Sequence, residues 1–344
     1  MNNLSPPTPN KLSLIAPITA IRGRAVLHAG SPRRGARRHF FRLSVCLGLV
    51  LAGVVEGADR ESFTRVRDVI YGRSYGTSLT MDVFQPRAPS NGRGVILMVS
   101  GSWISNLNQI TSRFKQVIPF TDRGYTVFGV LHRSQPRYAI PDMAEDISRS
   151  VRYIRYHAKD YGVDPDRLGI YGASSGGHLA LLQAMAGDAG NPEAKDPIER
   201  VSSRVQAAGV LRPPTDFLNY GKPGESAMGR GLLGRFQPIF EFLEQNPETK
   251  AFERVGDPAR IEAIARAVSP VTHVTADDPP TLIIHGAIDK LVPIQQAELI
   301  VGKLRSVGVE AKVIAKPGIG HGTFPNQQED VARIADWFDI HLRK

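Results

Sequence analysis

The sequence predicts an α/β fold, a mostly parallel eight-stranded sheet flanked by helices, formed by residues 58–344. Three observations predict it. Eight short runs, most of them continuous stretches of Val, Ile and Leu, are spaced along this part of the chain. Strands covered on both faces read this way, and parallel sheets are covered on both faces. Segments with apolar residues at helical spacing fall between the runs, and the alternation continues through the chain, which is the pattern of one α/β domain.

The first 57 residues stand apart. They hold Lys11, Arg22, Arg24, Arg33, Arg34, Arg37, Arg38 and Arg42 against the single acid Glu56, so a net +7 of the chain's +10 resides there and only +3 is left for the other 287 residues. A near-neutral body gives no support to a phosphate-binding surface, and no nucleic-acid partner is expected. The basic cluster at residues 33–38 precedes an apolar run at 40–55 and small residues near Gly53 to Ala58. That run is short for a bilayer span and suits a secretory signal peptide. The expectation is a basic leader and signal over residues 1–57, a secreted or periplasmic mature chain, and no stable membrane insertion once the signal is cleaved. Cys46, the sole cysteine, lies inside the apolar run, so the mature chain would hold no disulfide, no thiol nucleophile and no Cys-ligated metal.

Strands are expected at residues 64–70, 79–84, 94–99, 126–130, 167–171, 205–210, 280–285 and 311–315. Between the fourth and fifth, Pro141 occupies a first-turn position. Met143, Ile147, Val151 and Ile154 then recur at helical spacing until Tyr161-Gly162 ends the run. Residues 293–307 and 326–342 read as helices too, the last with Val331, Ile334 and Phe338 on one face. The stretch 212–266 breaks the alternation. It is punctuated by Pro and Gly, contains helical pieces such as 238–244, and is too long for an ordinary connection. Two readings stand: a surface insertion, or a cap over a pocket at the carboxyl edge of the sheet, where this architecture places ligands.

The segment Gly172-Ala173-Ser174-Ser175-Gly176 follows the fifth strand and leads into the apolar run Leu179-Ala180-Leu181-Leu182. It matches G-x-S-x-G, and only Ser174 has the correct flanks. Alone the motif is weak; between a strand and a helix it fits a sharp turn that lifts a serine hydroxyl above the sheet. The Lys-Ser/Thr pair of a phosphate-binding loop is absent from it.

A serine hydroxyl needs a base to take its proton, and the base needs an orienting acid. The strand 280–285 runs into His285-Gly286-Ala287-Ile288-Asp289, so Asp289 falls at the carboxyl edge, whereas Asp277 and Asp278 precede the strand on the far edge. The next strand ends in Gly318-Ile319-Gly320-His321-Gly322, which brings His321 to the same edge. Ser174, Asp289 and His321 are thus the expected nucleophile, acid and base. The amide of Ser175, next after the nucleophile, is one natural donor to an oxyanion, and Gly101 or Ser102 in the loop after the third strand is the other. Trp103 reads equally as pocket wall or core, and His132 as a pocket residue. His178 is expected to pack beneath the nucleophile turn and His285 to support the acid loop. No H-E-x-x-H motif or cluster of His and Asp ligands is present, so neither a metal nor a cofactor is expected.

With these residues in place the chain resembles the α/β-hydrolase superfamily. It is similar to the esterase and lipase-like branch that holds carboxylesterases, acetylxylan and feruloyl-type esterases and the catalytic domains of prolyl-oligopeptidase-like proteins. The resemblance runs from about Tyr71 to the C-terminus. It is densest in residues 160–168, the nucleophile turn, residues 285–293 and Gly320-His321-Gly322. It implies Ser174 as nucleophile, Asp289 as acid, His321 as base and Ser175 as an oxyanion donor. Two departures stand out: Val99 replaces a histidine, and Ser100 and Ser102 replace glycines, in the His-Gly-Gly-Gly/Ala-Trp pattern of relatives, and Ala287 replaces the first aspartate of His-Gly-Asp-x-Asp.

The function expected is hydrolysis of a carboxylic ester, on a small molecule or linked to a carbohydrate, through an acyl-enzyme. An exopeptidase and a non-catalytic binding module on the same scaffold are the alternatives.

Overall fold

A computed structural model describes residues 62–344 except Thr323 and Lys344; the leader and signal expected over residues 1–57 lie outside the described residues. Two strands open the fold, β1 (Phe63–Ser74) and β2 (Thr77–Pro86), followed by β3 (Gly94–Met98). Helices α1 (Leu107–Ser112) and α2 (Phe114–Thr121) lead to β4 (Thr126–Val130), and α3 (Ile140–Tyr156) to β5 (Leu168–Ala173). Then come α4 (Ser175–Ala186) and β6 (Ala207–Leu211). After β6 lie a short two-stranded unit, β7 (Leu243–Gln245) and β8 (Phe252–Arg254), and α5 (Pro258–Ala267). The chain closes with β9 (Thr281–Gly286), α6 (Gln295–Ser306), β10 (Ala311–Lys316) and α7 (Gln327–His341).

All eight expected runs are strands of one sheet, in the order β1-β2-β4-β3-β5-β6-β9-β10. The pairs β1/β2 and β2/β4 are antiparallel, and every other neighbouring pair is parallel. The chain leaves β3 to one side, to β4, and then crosses to the other side, to β5. The carboxyl ends of β3 and β5 therefore frame a topological switch point, the crevice where open α/β sheets bind ligands.

Residue alternation explains why the apolar runs are unbroken. Ile96 and Met98 of β3 face a core shared with Met143, Ile147, Val151 and Ile154 of α3, Leu179 and Leu182 of α4, and Ile300 and Leu304 of α6. Val95, Leu97 and Val99 face the opposite core with Val117 and Phe120 of α2 and Val331, Ile334 and Phe338 of α7. Helix α3 starts as its sequence suggests: Pro141 sits in the first turn, and the Asp142 carboxylate accepts the Ala139 N–H at 2.9 Å.

Residues 212–266 lie between β6 and β9. The helical expectation for 238–244 fails in detail. A 3₁₀ segment, Gly231–Phe240, ends before Leu243, and Leu243–Gln245 pairs with β8 instead. The segment is kinked at Phe236, just ahead of Pro238, which lacks an N–H to donate to the preceding turn. Leu233, Phe236, Ile239 and Phe240 of this segment are buried in the α3/α4 core.

Candidate active site

Ser174 lies between the last residue of β5 and the first of α4, with φ 54° and ψ −123°. Few non-glycine residues adopt such a backbone, and the surroundings fix it. Its N–H donates to the Leu211 carbonyl at 2.9 Å, and its carbonyl accepts the His178 N–H at 2.9 Å. The motif's glycines are sterically required. A Cβ on Gly172 would stand 2.3 Å from the Gly176 carbonyl oxygen, and one on Gly176 would stand 2.7 Å from that of Met98.

The three polar residues expected to meet do so. Ser174 Oγ is 2.9 Å from His321 Nε2, and His321 Nδ1 is 2.7 Å from Asp289 Oδ2. With Nδ1–H donated to the carboxylate, Nε2 is left to accept the serine hydroxyl. Asp289 is buried, and its other oxygen, Oδ1, accepts the N–H groups of Leu291 and Val292, each at 2.9 Å. Burial alone would raise its pKa. The neighbouring His285 imidazole and hydrogen bonds from His321 and the Val292 amide outweigh that and hold the carboxyl well below the usual carboxylate range. His285 is fully buried and takes its expected supporting place. Its Nε2–H donates to the Val292 carbonyl at 2.8 Å and lies 3.6 Å from Asp289 Oδ2. The acid loop is laced to the histidine loop by Ala287 N–H to the Lys316 carbonyl (2.9 Å) and Ile288 N–H to the Ile319 carbonyl (3.1 Å).

Above β3, Gly101 and Ile104 exchange N–H···O bonds in both directions at 2.9 Å, and between them Ser102 and Trp103 have φ of 55° and 56°. Two central residues with positive φ are the mark of a type I′ turn. The Gly101 N–H is thereby engaged, whereas no acceptor for the Ser102 N–H is found among the described residues. The Ser175 N–H belongs to the first turn of α4, whose amides have no intrahelical acceptor. Side chains pin the turn from several directions. Arg113 Nη2 donates to the Ser100 carbonyl at 2.8 Å, the Ser100 and Ser175 hydroxyls are 3.1 Å apart, and Gln135 Nε2 donates to the Ser102 carbonyl. Sequence reasoning missed Arg113 and Gln135, neither of which belongs to a motif.

Trp103, which the sequence left between pocket wall and core, is buried to 2% exposure, and His132, expected as a pocket residue, to 6%. Trp103 packs against His178 of α4 and against Phe217 and Phe236, which the long segment after β6 brings over it. His132 Nδ1–H donates to the Arg133 carbonyl, and burial lowers its pKa to about 4.

A family model described as BD-FAE matches residues 81–304. Among curated proteins, the chain is 30% identical over 253 residues to a probable carboxylic ester hydrolase, LipM, of Mycobacterium tuberculosis, covering 72% of this chain and 54% of that one. It is 26% identical over 270 residues to a probable isoprenylcysteine alpha-carbonyl methylesterase of Arabidopsis thaliana, covering 74% and 50%. The chain thus spans about half the length of these curated relatives. Among solved structures, a truncated carbohydrate esterase from gut microbiota superposes with a TM-score of 0.67 at 23% identity, over 83% of this chain and 99% of that one. An acetyl ester-xyloside bifunctional hydrolase from Caldicellulosiruptor lactoaceticus gives 0.63 at 21%, over 79% and 95%. At these identities the structural likeness speaks for the fold.

Proposed function

We propose, for a chain that belongs to the BD-FAE family within the α/β-hydrolase superfamily, that it hydrolyses carboxylic esters with Ser174 as nucleophile, His321 as base and Asp289 as orienting acid. The observation that carries this reading is the continuous chain Ser174 Oγ, His321 Nε2, His321 Nδ1, Asp289 Oδ2, with links of 2.9 and 2.7 Å. The ester hydrolase and methylesterase among its relatives support the bond class.

In this mechanism Ser174 Oγ attacks the ester carbonyl carbon while His321 Nε2 takes the hydroxyl proton. The carbonyl oxygen becomes an oxyanion, received by the amides of Ser175 and Ser102. Collapse of the tetrahedral species breaks the carbon–oxygen bond to the alcohol, which leaves with the proton from His321. Water then attacks the acyl-enzyme, gives a proton to the same nitrogen, and the carboxylic acid departs as Ser174 recovers its proton. The Asp289 carboxylate stays ionised throughout, holding the imidazole and balancing its transient positive charge. Gly101 is left out of this scheme because its N–H is engaged with Ile104.

The substrate in this proposal is a small-molecule or carbohydrate-linked ester, and the site of action is extracytoplasmic, reached through the basic and apolar segment at residues 33–55. N-terminal sequencing of the exported chain tests the location; a mature protein beginning before Arg42 overturns it. For the chemistry, wild type should hydrolyse p-nitrophenyl acetate and be labelled by a fluorophosphonate, and folded Ser174→Ala should do neither. An intact wild-type chain that never labels overturns the proposal in favour of a binding role. Labelling with turnover of aminoacyl amides but not of esters overturns it in favour of an exopeptidase.

A further inference from the structure

Trp103 directly follows Ser102 and, like it, has a left-handed backbone. For a bulky residue that conformation is uncommon and persists only where the surroundings impose it. The turn closed by Gly101 and Ile104 sets that backbone, and a buried hydrogen-bonded chain anchors the side chain that it presents. The indole Nε1–H of Trp103 donates to His178 Nδ1 at 3.1 Å, and His178 Nε2 lies 2.8 Å from the Val268 carbonyl. A carbonyl only accepts, so Nε2 carries the proton and Nδ1 is the acceptor for the indole. The imidazole is therefore neutral, and burial lowers its pKa to about 4. His178 is 0% exposed, and its own N–H holds the carbonyl of Ser174.

Three parts of the molecule meet in this chain. Trp103 belongs to the turn after β3, His178 to the first turns of α4 below the serine, and Val268 to the C-terminal cap of α5 at the end of the long segment after β6. Phe236 from the same segment packs edge-on against the indole, with ring centroids 5.7 Å apart. Beside the contact between the Ser100 and Ser175 hydroxyls, the turn carrying Ser102 is thus referenced to the helix that carries the Ser175 amide through a single imidazole.

We propose that Trp103 and His178 are positioning residues that fix the Ser102 amide relative to the Ser175 amide, and that the segment after β6 sets this geometry through the Val268 carbonyl. The inference rests on the reading of Ser102 and Ser175 as oxyanion donors. It assigns to His178 a task beyond packing, and it makes the long segment part of the catalytic apparatus without contact with the ester.

The test uses the intact protein, an aryl acetate, and a trifluoromethyl ketone, whose adduct with serine carries an oxyanion. Trp103→Phe keeps an aromatic ring and removes the indole N–H together with the five-membered ring that bears it. It should lower kcat by about 10- to 100-fold, the range a small misplacement of catalytic groups costs, with KM within about threefold. Affinity for the ketone should fall in parallel. His178→Leu should do the same, and the double variant should be no worse than the worse single one, because both break one linkage. His178→Asn, whose amide oxygen can still accept from the indole, should recover part of the loss. Folded Trp103→Phe with wild-type kcat and ketone affinity overturns the proposal, as does a double variant whose loss is the product of the two. Should Trp103→Phe fail to fold, equal losses in His178→Asn and His178→Leu overturn it and unequal ones sustain it. A wild-type chain without Ser174-dependent turnover overturns the hydrolase reading itself, and this inference with it.

Discussion

His321 and Asp289 are joined across 2.7 Å, and the same carboxylate is held by two backbone N–H groups on its other oxygen. That arrangement separates the roles of the two oxygens. Oδ1 fixes the acid in its loop, and Oδ2 chooses the tautomer of the base. Asp289→Asn should keep the first role, because an amide oxygen can still accept from Leu291 and Val292. It should lose the second, because an amide NH₂ facing Nδ1 favours the tautomer whose Nε2 carries a proton and cannot accept one from Ser174. The expected result is a folded protein with kcat reduced on the order of 10³- to 10⁴-fold and KM little changed. Steady-state kinetics decide it, and a loss under tenfold would remove Asp289 from the mechanism.

The outline of this site was legible in the chain because its residues obey local rules. Ser174 announces itself through glycines that steric contact demands at positions 172 and 176, Asp289 follows a fully buried strand, β9, with an apolar run, and His321 follows the shorter apolar stretch of β10. Less legible were features decided by tertiary packing. Helices α1 and α2 have only six and eight residues, and Pro119 inside α2 reads as a breaker. The β7/β8 pair has three residues per strand, too few for a pattern. Whether Gly101 or Ser102 offers its amide depended on the exchange of bonds with Ile104, and the bond between Trp103 and His178 spans 75 residues. None of these leaves a trace at fixed spacing.

Beneath the loop after β4, Arg133 and Asp146 form an ion pair with both side chains at 1% exposure and 2.9 Å between Nε and Oδ1. Buried pairs are more costly to break than to replace. Arg133→Met, which leaves the Asp146 carboxylate with only a backbone N–H, should destabilise the fold by about 3–5 kcal/mol. Adding Asp146→Leu should return at least half of that. Urea unfolding of the single and double variants measures both numbers; a double variant as unstable as the single one would refute the argument.

His132 and His178 make stability depend on pH. Burial is the main cause of their lowered pKa, about 4 in each, whereas an unfolded histidine titrates near pH 6.5. Between roughly pH 6.5 and 4 the unfolded chain therefore binds more protons than the folded one, and stability falls as pH falls through that window. Above it the contribution is complete. Each shift corresponds to roughly 3 kcal/mol across the window. His178→Leu should consequently be destabilised less at pH 4.5 than at pH 7.5 relative to wild type. Unfolding free energies at the two pH values test this, and a gap that does not narrow on acidification would show that His178 is not buried as a neutral group.

Ser102 carries the one departure from the relatives' glycine-rich loop whose cost can be measured directly. At φ 55° a side chain is strained, and glycine adopts the same backbone freely. The gain is limited by the extra freedom glycine has in the unfolded chain, which opposes the relief of strain. Ser102→Gly restores the residue of the relatives' pattern and keeps the amide N–H proposed to meet the oxyanion. With Gly101 and Ile104 still bonded to each other and Gln135 still holding the carbonyl of residue 102, the turn has no reason to move. The variant should retain kcat within about threefold and change stability by less than about 1 kcal/mol in either direction. A loss of kcat near the 10²- to 10³-fold that follows removal of an oxyanion donor would mean that the serine hydroxyl, and not the backbone amide, is what this position contributes, and the donor would then have to be reassigned to the side chain.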